Sequence, residues 1–253
     1  MSLQVDGGVA SITLTRPEKR NAIDLELANE LTAALETFHR DPATSVAVLS
    51  GEGSGFCSGG DITMFPDLDS ASGLEFVRGL GERLHQSIAR SRKPVIAAVH
   101  GFCLAGGFEL ALACHMIFAS AETQFAMKEA RLGLIPGWGG TVRLARTVSP
   151  GLANDLLLTG RTILAPEARQ AGIVSRVFDD PESCHAAALD AARRIAGAPD
   201  MTAESVLDVV RASRASGDDA FKLEQSLVAM LFGSPQTQSR ISDVLYGGIG
   251  SAE

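Results

Sequence analysis

The stretch from Lys93 to Leu144 constrains the fold more than any other part of the chain. Val95 to Val99 is an uninterrupted apolar run, the pattern of a strand covered on both faces. Ala105-Gly106-Gly107 follows as a turn where backbone can approach a ligand closely. From Phe108 to Cys114 only Glu109 is polar, so a buried helix leaves the turn with one carboxylate in its first turn. Two further short strands and a second glycine-dense turn, Gly133 to Gly140, complete the stretch.

The two glutamates of this region, Glu109 and Glu129, each admit two readings. A first-turn glutamate is favoured by the helix dipole and disfavoured by desolvation, so Glu109 could simply satisfy free N–H groups. Glu129, flanked by Lys128 and Arg131, could be a solvated loop charge. Taken together, one carboxylate beside each glycine turn suits general acid–base chemistry, in which environment splits the roles of two similar groups.

With 253 residues the chain can bury a full core. The formal charge of −8 weighs against a nucleic-acid or anionic-membrane partner. Cys57, Cys103, Cys114 and Cys184 form no C-x-x-C pair, so buried thiols are expected rather than disulfides or a metal site. The N-terminus lacks a basic region followed by a long apolar run, and no stretch reaches the ~18 apolar residues of a membrane helix. A cytoplasmic protein is expected.

In chain order, Val9 to Thr15 is predicted as a strand stopped by Pro17, and Asp24 as the cap of a helix with Leu27, Leu31, Ala34, Leu35 and Phe38 on one face. Val46 to Leu49 is a strand feeding the loop Gly51 to Gly55, which has neither G-K-[ST] nor G-x-G-x-x-G and so is no P-loop or dinucleotide fingerprint. Met64 to Gly73 is expected as a loop, and Leu74 to Arg90 as one amphipathic helix with Phe76, Leu80, Leu84 and Ile88 as its core stripe. Helices are expected at Pro150 to Gly160 and Ala165 to Gly172, and a strand at Ile173 to Phe178. From Pro181 the chain turns Ala-rich and helical, broken at Pro199, Gly217 and Pro235, so a boundary is placed near Asp179.

Four segments in order, RPEKRNAI (16–23), GFCSGGDI (55–62), KPVIAAVHGFCLAGGFELALAC (93–114) and FAMKEARLGLIPGWGGTVRL (125–144), resemble the crotonase superfamily, and within it the enoyl-CoA hydratases. The resemblance runs from about Leu3 to Phe178. It implies an α/β fold: a spiral of strand-strand-helix turns over 1–179, with a C-terminal helical region, 180–253, that builds a homotrimer or a dimer of trimers. It implies a 2-enoyl-CoA substrate, with coenzyme A part of the substrate, no separate cofactor and no metal. The backbone amides of Gly60 and Gly106 would form an oxyanion hole. Glu109 would activate water for attack on C3, and Glu129 would deliver a proton to C2. The coenzyme A moiety would run past Lys19, Arg20 and Ala22 and the turn Gly60, Asp61, Ile62 and Thr63.

The chain departs from the family pattern in places. His100 stands where Asn is common and is expected to be a hydrogen-bonded structural histidine, though a catalytic role stays open. His115 replaces the usual Asp. The basic, Phe-containing C-terminal helix of many members is replaced by Ile241 to Gly248, with Arg240 the nearby cation, so a carrier-protein thioester is an alternative to coenzyme A. A Δ3-Δ2 enoyl-CoA isomerase needs only the Glu129 carboxylate, so the presence of Glu109 favours hydration. Another crotonase-type reaction on a specialised acyl group remains open. An RNA-binding relative would call for a basic stripe that this acidic chain lacks. A serine hydrolase would call for a G-x-S-x-G motif, also missing here. The apolar helix face Phe221, Leu223, Leu227, Leu231 and Phe232 suits either a subunit interface or packing within the chain.

Overall fold

The computed structural model describes residues 1–198, 202–214 and 228–246. In chain order the strands are β1 (Ser2–Asp6), β2 (Val9–Leu14), β3 (Val46–Gly51), β4 (Val95–Val99), β5 (Phe102–Leu104), β6 (Met116–Ser120), β7 (Gln124–Ala126), β8 (Ile163–Leu164) and β9 (Arg176–Phe178). The helices are α1 (Leu25–Arg40), α2 (Ser70–Phe76), α3 (Arg83–Ala89), α4 (Gly106–Ala113), α5 (Gly140–Thr147), α6 (Pro150–Thr159), α7 (Ala165–Gln170), α8 (Pro181–Ala196), α9 (Thr202–Arg214) and α10 (Pro235–Tyr246).

A six-stranded sheet has the order β1-β2-β3-β4-β6-β9, parallel except for the β1–β2 hairpin. A smaller sheet, β5-β7-β8, lies beside it. Isolated parallel bridges, Ile23 with Gly60 and Cys57 with Cys103, extend this second layer toward the N-terminus. The chain therefore repeats one unit: a long strand in the large sheet, a short extended piece in the small layer, then a helix. β2, Ile23 and α1 make one turn of this spiral, and β4, β5 and α4 another.

The apolar runs in β3 and β4 are explained by cover on both faces. Ala47, Leu49, Val95, Ala97 and Val99 enter the main core, whereas Val46, Val48, Ile96 and Ala98 meet Cys184, Ala188, Ala191 and Ala192 of α8. Period-2 alternation assigns each residue to its face. The alanines of α8 let the helix lie close against the sheet. That helix starts at a capping box in which Asp180 accepts from the Ser183 amide at 2.7 Å, with Pro181 at its first position. The boundary near Asp179 thus falls in the short link between β9 and α8, and α8 turns back onto the large sheet.

The Asp24 cap is present, accepting from the Leu27 amide at 2.8 Å, and the apolar stripe of α1 is buried. Other expectations need correction. The N-terminal residues form β1, which the hairpin turn at Gly7 and Gly8 pairs with β2, and β2 ends at Leu14. The supposed loop from Met64 to Gly73 already becomes helix at Ser70, because Asp69 and Ser72 form a capping box. The single helix to Arg90 is interrupted by a π-helical segment, Val77–Glu82, and ends at Ala89. Only Arg176–Phe178 of the expected strand from Ile173 pairs. Pro199, Gly217, Phe221, Leu223, Leu227, Gly247 and Gly248 lie outside the described residues. Phe232 is buried. Among the described residues no helix is long and apolar enough to cross a membrane.

Candidate active site

Register in the small sheet places the two glutamates. Leu104 pairs with Ala126, and the Ala105 amide donates to the Ala126 carbonyl at 2.8 Å. Glu109 lies one turn past Ala105 and Glu129 three residues past Ala126, so both leave the same end of the β5–β7 pair.

Glu109 is 2% exposed in the first turn of α4. Its Oε1 accepts from the amides of Trp138 and Gly140, each at 2.7 Å. These donors belong to the glycine turn entering α5, where Gly139 takes a left-handed φ of 97°. Burial pushes the Glu109 carboxyl up to about 7, opposed by the Gly140 and Trp138 amides and by the Arg143 charge. A carboxyl titrating there can exchange a proton at neutral pH. Satisfying free amides and titrating near neutrality are compatible in one residue.

Glu129 opens a 3-10 turn, Glu129–Leu132, which closes at Gly133 in the left-handed region with φ 75°. The Leu134 amide donates to the Glu129 carbonyl at 3.0 Å. Glu129 is partly buried rather than solvated. Its neighbour Lys128 reaches instead for the Gly160 carbonyl at 2.9 Å. α10 packs on this turn, and Thr237 Oγ1 donates to the Gly133 carbonyl at 2.9 Å.

Gly60 and Gly106 come together. A Cβ built on Gly106 would stand 3.2 Å from the Gly60 nitrogen, and one built on Gly59 would stand 3.1 Å from the Gly106 nitrogen. Gly106 begins α4, where an amide has no partner within the helix. Ala105 ahead of it holds φ 49° with ψ −126°, a strained conformation for a residue with a side chain. Two neighbouring amides, one of them at a helix start, can receive an oxygen that gains negative charge.

The proposed coenzyme A residues form a second cluster. Lys19 and Arg20 are exposed, with Arg20 stacked 4.3 Å above the Phe102 ring. Ala22 receives Arg16 Nη1 on its carbonyl at 2.9 Å. Asp61 pairs with Arg16 at 3.0 Å and accepts from the Thr63 amide and hydroxyl. Burial raises the Asp61 carboxyl, but the bonds from Thr63 and Arg16 outweigh it and hold the group below its ordinary range. Ile62 lies in the same 3-10 turn, Ile62–Met64. A cleft of about 670 Å³ lies on the Arg20 side, lined by His100, Phe102, Glu122 and Asp179 among others, and neither Glu109 nor Glu129 borders it.

Sequence reasoning missed several residues here. Asn21 is fully buried with φ 53°. Its amide nitrogen donates to the carbonyls of Glu52, Gly55 and Phe56, while its oxygen accepts from Arg16. It therefore locks the 16–22 turn to the 51–56 loop. His85 is fully buried, with Nδ1 2.8 Å from the Gly81 carbonyl and Nε2 3.3 Å from that of Gly106. Burial lowers it to about 3, so it is neutral. His100 bonds the Gly53 carbonyl at 3.0 Å, a structural contact. His115 accepts from the Val95 amide at 3.0 Å, and burial lowers it to about 4. An imidazole nitrogen thus takes a backbone donor at the position where the family carries a carboxylate.

Comparison with known proteins identifies the family. The family model described as enoyl-CoA hydratase/isomerase matches residues 4–244. A probable enoyl-CoA hydratase of Rhizobium meliloti is 43% identical over 196 residues, covering 77% of this chain and 74% of that protein. A carnitinyl-CoA dehydratase of Proteus mirabilis is 36% identical over 233 residues, covering 89% of this chain and 86% of that protein. The crystal structure of an enoyl-CoA hydratase/isomerase from Xanthobacter autotrophicus Py2 superposes with a TM-score of 0.89 at 28% identity, covering 97% of this chain and 93% of that one. By fold, by family match and by relatives alike, the chain belongs to the enoyl-CoA hydratase/isomerase family of the crotonase superfamily.

Proposed function

We propose that this protein adds water across the C2=C3 bond of a 2-enoyl-CoA thioester. The buried Glu109 carboxyl, poised near neutrality beside the paired amides of Gly60 and Gly106, carries this reading. The thioester carbonyl accepts from both amides, which stabilise its oxygen as the enolate forms. Ionised Glu109 takes a proton from water as the oxygen bonds to C3. Glu129 gives a proton to C2, and the enolate collapses back to the thioester. The thioester itself acidifies C2, so this chemistry calls for neither a metal nor an added cofactor. Lys19, Arg20, Ala22 and the Gly60–Thr63 turn hold the coenzyme A moiety. Every step is reversible, and the likeness to a dehydratase favours a second reading in which the same residues remove water from a 3-hydroxyacyl-CoA.

Exposed Val206, Val209 and Val210 on α9 support assembly through the C-terminal helical region, as a homotrimer or a dimer of trimers. Light scattering of the pure protein checks that. A cytoplasmic location and the absence of nucleic-acid partners accord with the acidic balance.

Loss of enoyl-thioester absorbance with crotonyl-CoA tests the activity. Glu109→Gln and Glu129→Gln should each lower kcat by ~100- to 10,000-fold while leaving the fold intact. Near-normal turnover in either variant would overturn its assigned role. An inactive wild type that converts a 3-enoyl-CoA would show isomerisation instead.

A further inference from the structure

Three glycines from three separate elements converge on one indole. A Cβ on Gly81, in the π-helical segment, would fall inside the Trp138 ring, and one on Gly106 would overlap the ring edge. A Cβ on Gly60 would stand 3.0 Å from the ring. Trp138 is 6% exposed, and the benzo edge of its side chain packs beside Gly60 and Gly106, whose amides would receive the thioester oxygen. Its own amide meanwhile donates to Glu109. π-Helical turns concentrate at functional sites, and here the turn presents Gly81 as a seat for the ring. Behind the indole stand Phe76 at 6.1 Å and His85 at 5.2 Å between centroids. Phe65 and Phe232 pack edge-on to Phe76 at 5.6 and 6.2 Å and to each other at 5.4 Å. Four aromatic rings and a neutral imidazole thus pack together beside Gly60 and Gly106.

We propose that Trp138 ends the acyl pocket and makes this protein selective for short acyl chains. The proposal rests on the hydration reading for its substrate, but it concerns space rather than chemistry. An acyl chain whose carbonyl oxygen sits on the Gly60 and Gly106 amides must pass the indole edge. Longer chains must displace a ring wedged against backbone, and a close-packed wall yields little.

The test measures kcat/KM for crotonyl-CoA and for 2-decenoyl-CoA with the wild type, Trp138→Leu and Trp138→Phe. The wild type should favour the short substrate by at least ~100-fold, given what one or more misplaced methylenes cost in an apolar pocket. Trp138→Leu should bring the two within ~5-fold, chiefly by gaining on the long substrate. Trp138→Phe should fall between, and it keeps the test open if the leucine variant folds poorly. Equal wild-type rates on both substrates, or an unchanged ratio in folded variants, would overturn the proposal. Calorimetric binding of butyryl-CoA and decanoyl-CoA, which cannot be hydrated, separates the two claims. A wild type that hydrates neither enoyl substrate but binds butyryl-CoA far more tightly would sink the hydratase reading and leave the pocket assignment standing. Equal binding of both saturated thioesters would sink the pocket assignment. Trp138 is the sole tryptophan, so its fluorescence should shift when butyryl-CoA binds, and no shift at saturation would count against contact.

Discussion

Glu109 and Glu129 leave the same end of one small sheet, yet they are held in opposite ways. Glu109 is gripped through its carboxylate by two amides at the start of α5, inside continuous core. Glu129 is held through its backbone: a 3-10 turn closed at Gly133, pinned by α10 from the far end of the chain. The first arrangement fixes a carboxylate and tunes its proton affinity. The second fixes the position of a residue and ties it to the C-terminal helices. One carboxyl of the proposed acid–base pair is therefore placed by local electrostatics, and the other by long-range packing.

The sharpest way to break the Glu109 grip without touching Glu109 is Gly140→Ala. The new methyl would stand 2.6 Å from Glu109 Cγ and 2.8 Å from Oε1, so the carboxylate must leave its amide donors. Displacement of a catalytic group by about an ångström costs ~100-fold, and kcat with crotonyl-CoA should fall by that much. A variant within threefold of wild type would show that the amide grip is dispensable.

Proton affinity gives the second distinction. Glu109 must be ionised to take a proton from water, so kcat/KM should fall tenfold per pH unit below about 7. The same group couples to stability. Its folded value, about 7, lies above its ordinary 4.5, so the native state binds the proton more tightly. The resulting stabilisation is complete below pH 4.5 and is lost as pH rises through about 7. The loss amounts to at most about 3 kcal/mol. Denaturant midpoints of wild type against Glu109→Gln, followed from pH 4.5 to 8, should diverge in that window. Parallel curves would mean that the carboxyl titrates normally.

The same contrast explains what could be read in advance. The Asp24 cap was legible because its partner Leu27 lies three residues on. Glu109, Glu129, Gly60 and Gly106 stood out through glycine turns and the resemblance of four ordered segments, not through their partners, since Trp138 and Gly140 lie about 30 residues beyond Glu109. The unbroken apolar run of β4 foretold cover on both faces, one of which α8 supplies. Asn21 was not legible as a keystone, since its partners Glu52, Gly55 and Phe56 lie more than 30 residues on. The positive φ of Ala105 carried no signal either, since alanine does not announce one. Nor did the Phe76 to Ile88 stripe reveal the π-helical break inside it, because the seat for Trp138 at Gly81 exists only once both segments are folded. Asp69 and Ser72 did spell out a capping box, but Pro66 and the small polar residues around it gave the segment the composition of a loop.

The weakest link in the comparison is one hydroxyl, and it sharpens the difference between the two grips. Thr237 Oγ1 is joined to the Gly133 carbonyl across 104 residues of sequence. Thr237→Val keeps the shape of the buried side chain and removes the donor, at a cost of about 1 kcal/mol. If α10 positions Glu129 through this bond, kcat should fall several-fold with KM little changed, because proton delivery suffers while the amides that hold the thioester are untouched. The acid limb set by Glu109 should stay near pH 7, since that carboxyl is tuned from α5. Thr237→Ser should restore the bond and most of the rate. A fall in thermal stability with unchanged kcat would reduce Thr237 to packing and leave the Glu129 turn held by Gly133 alone. A shifted acid limb would show that the two carboxyls are not held independently.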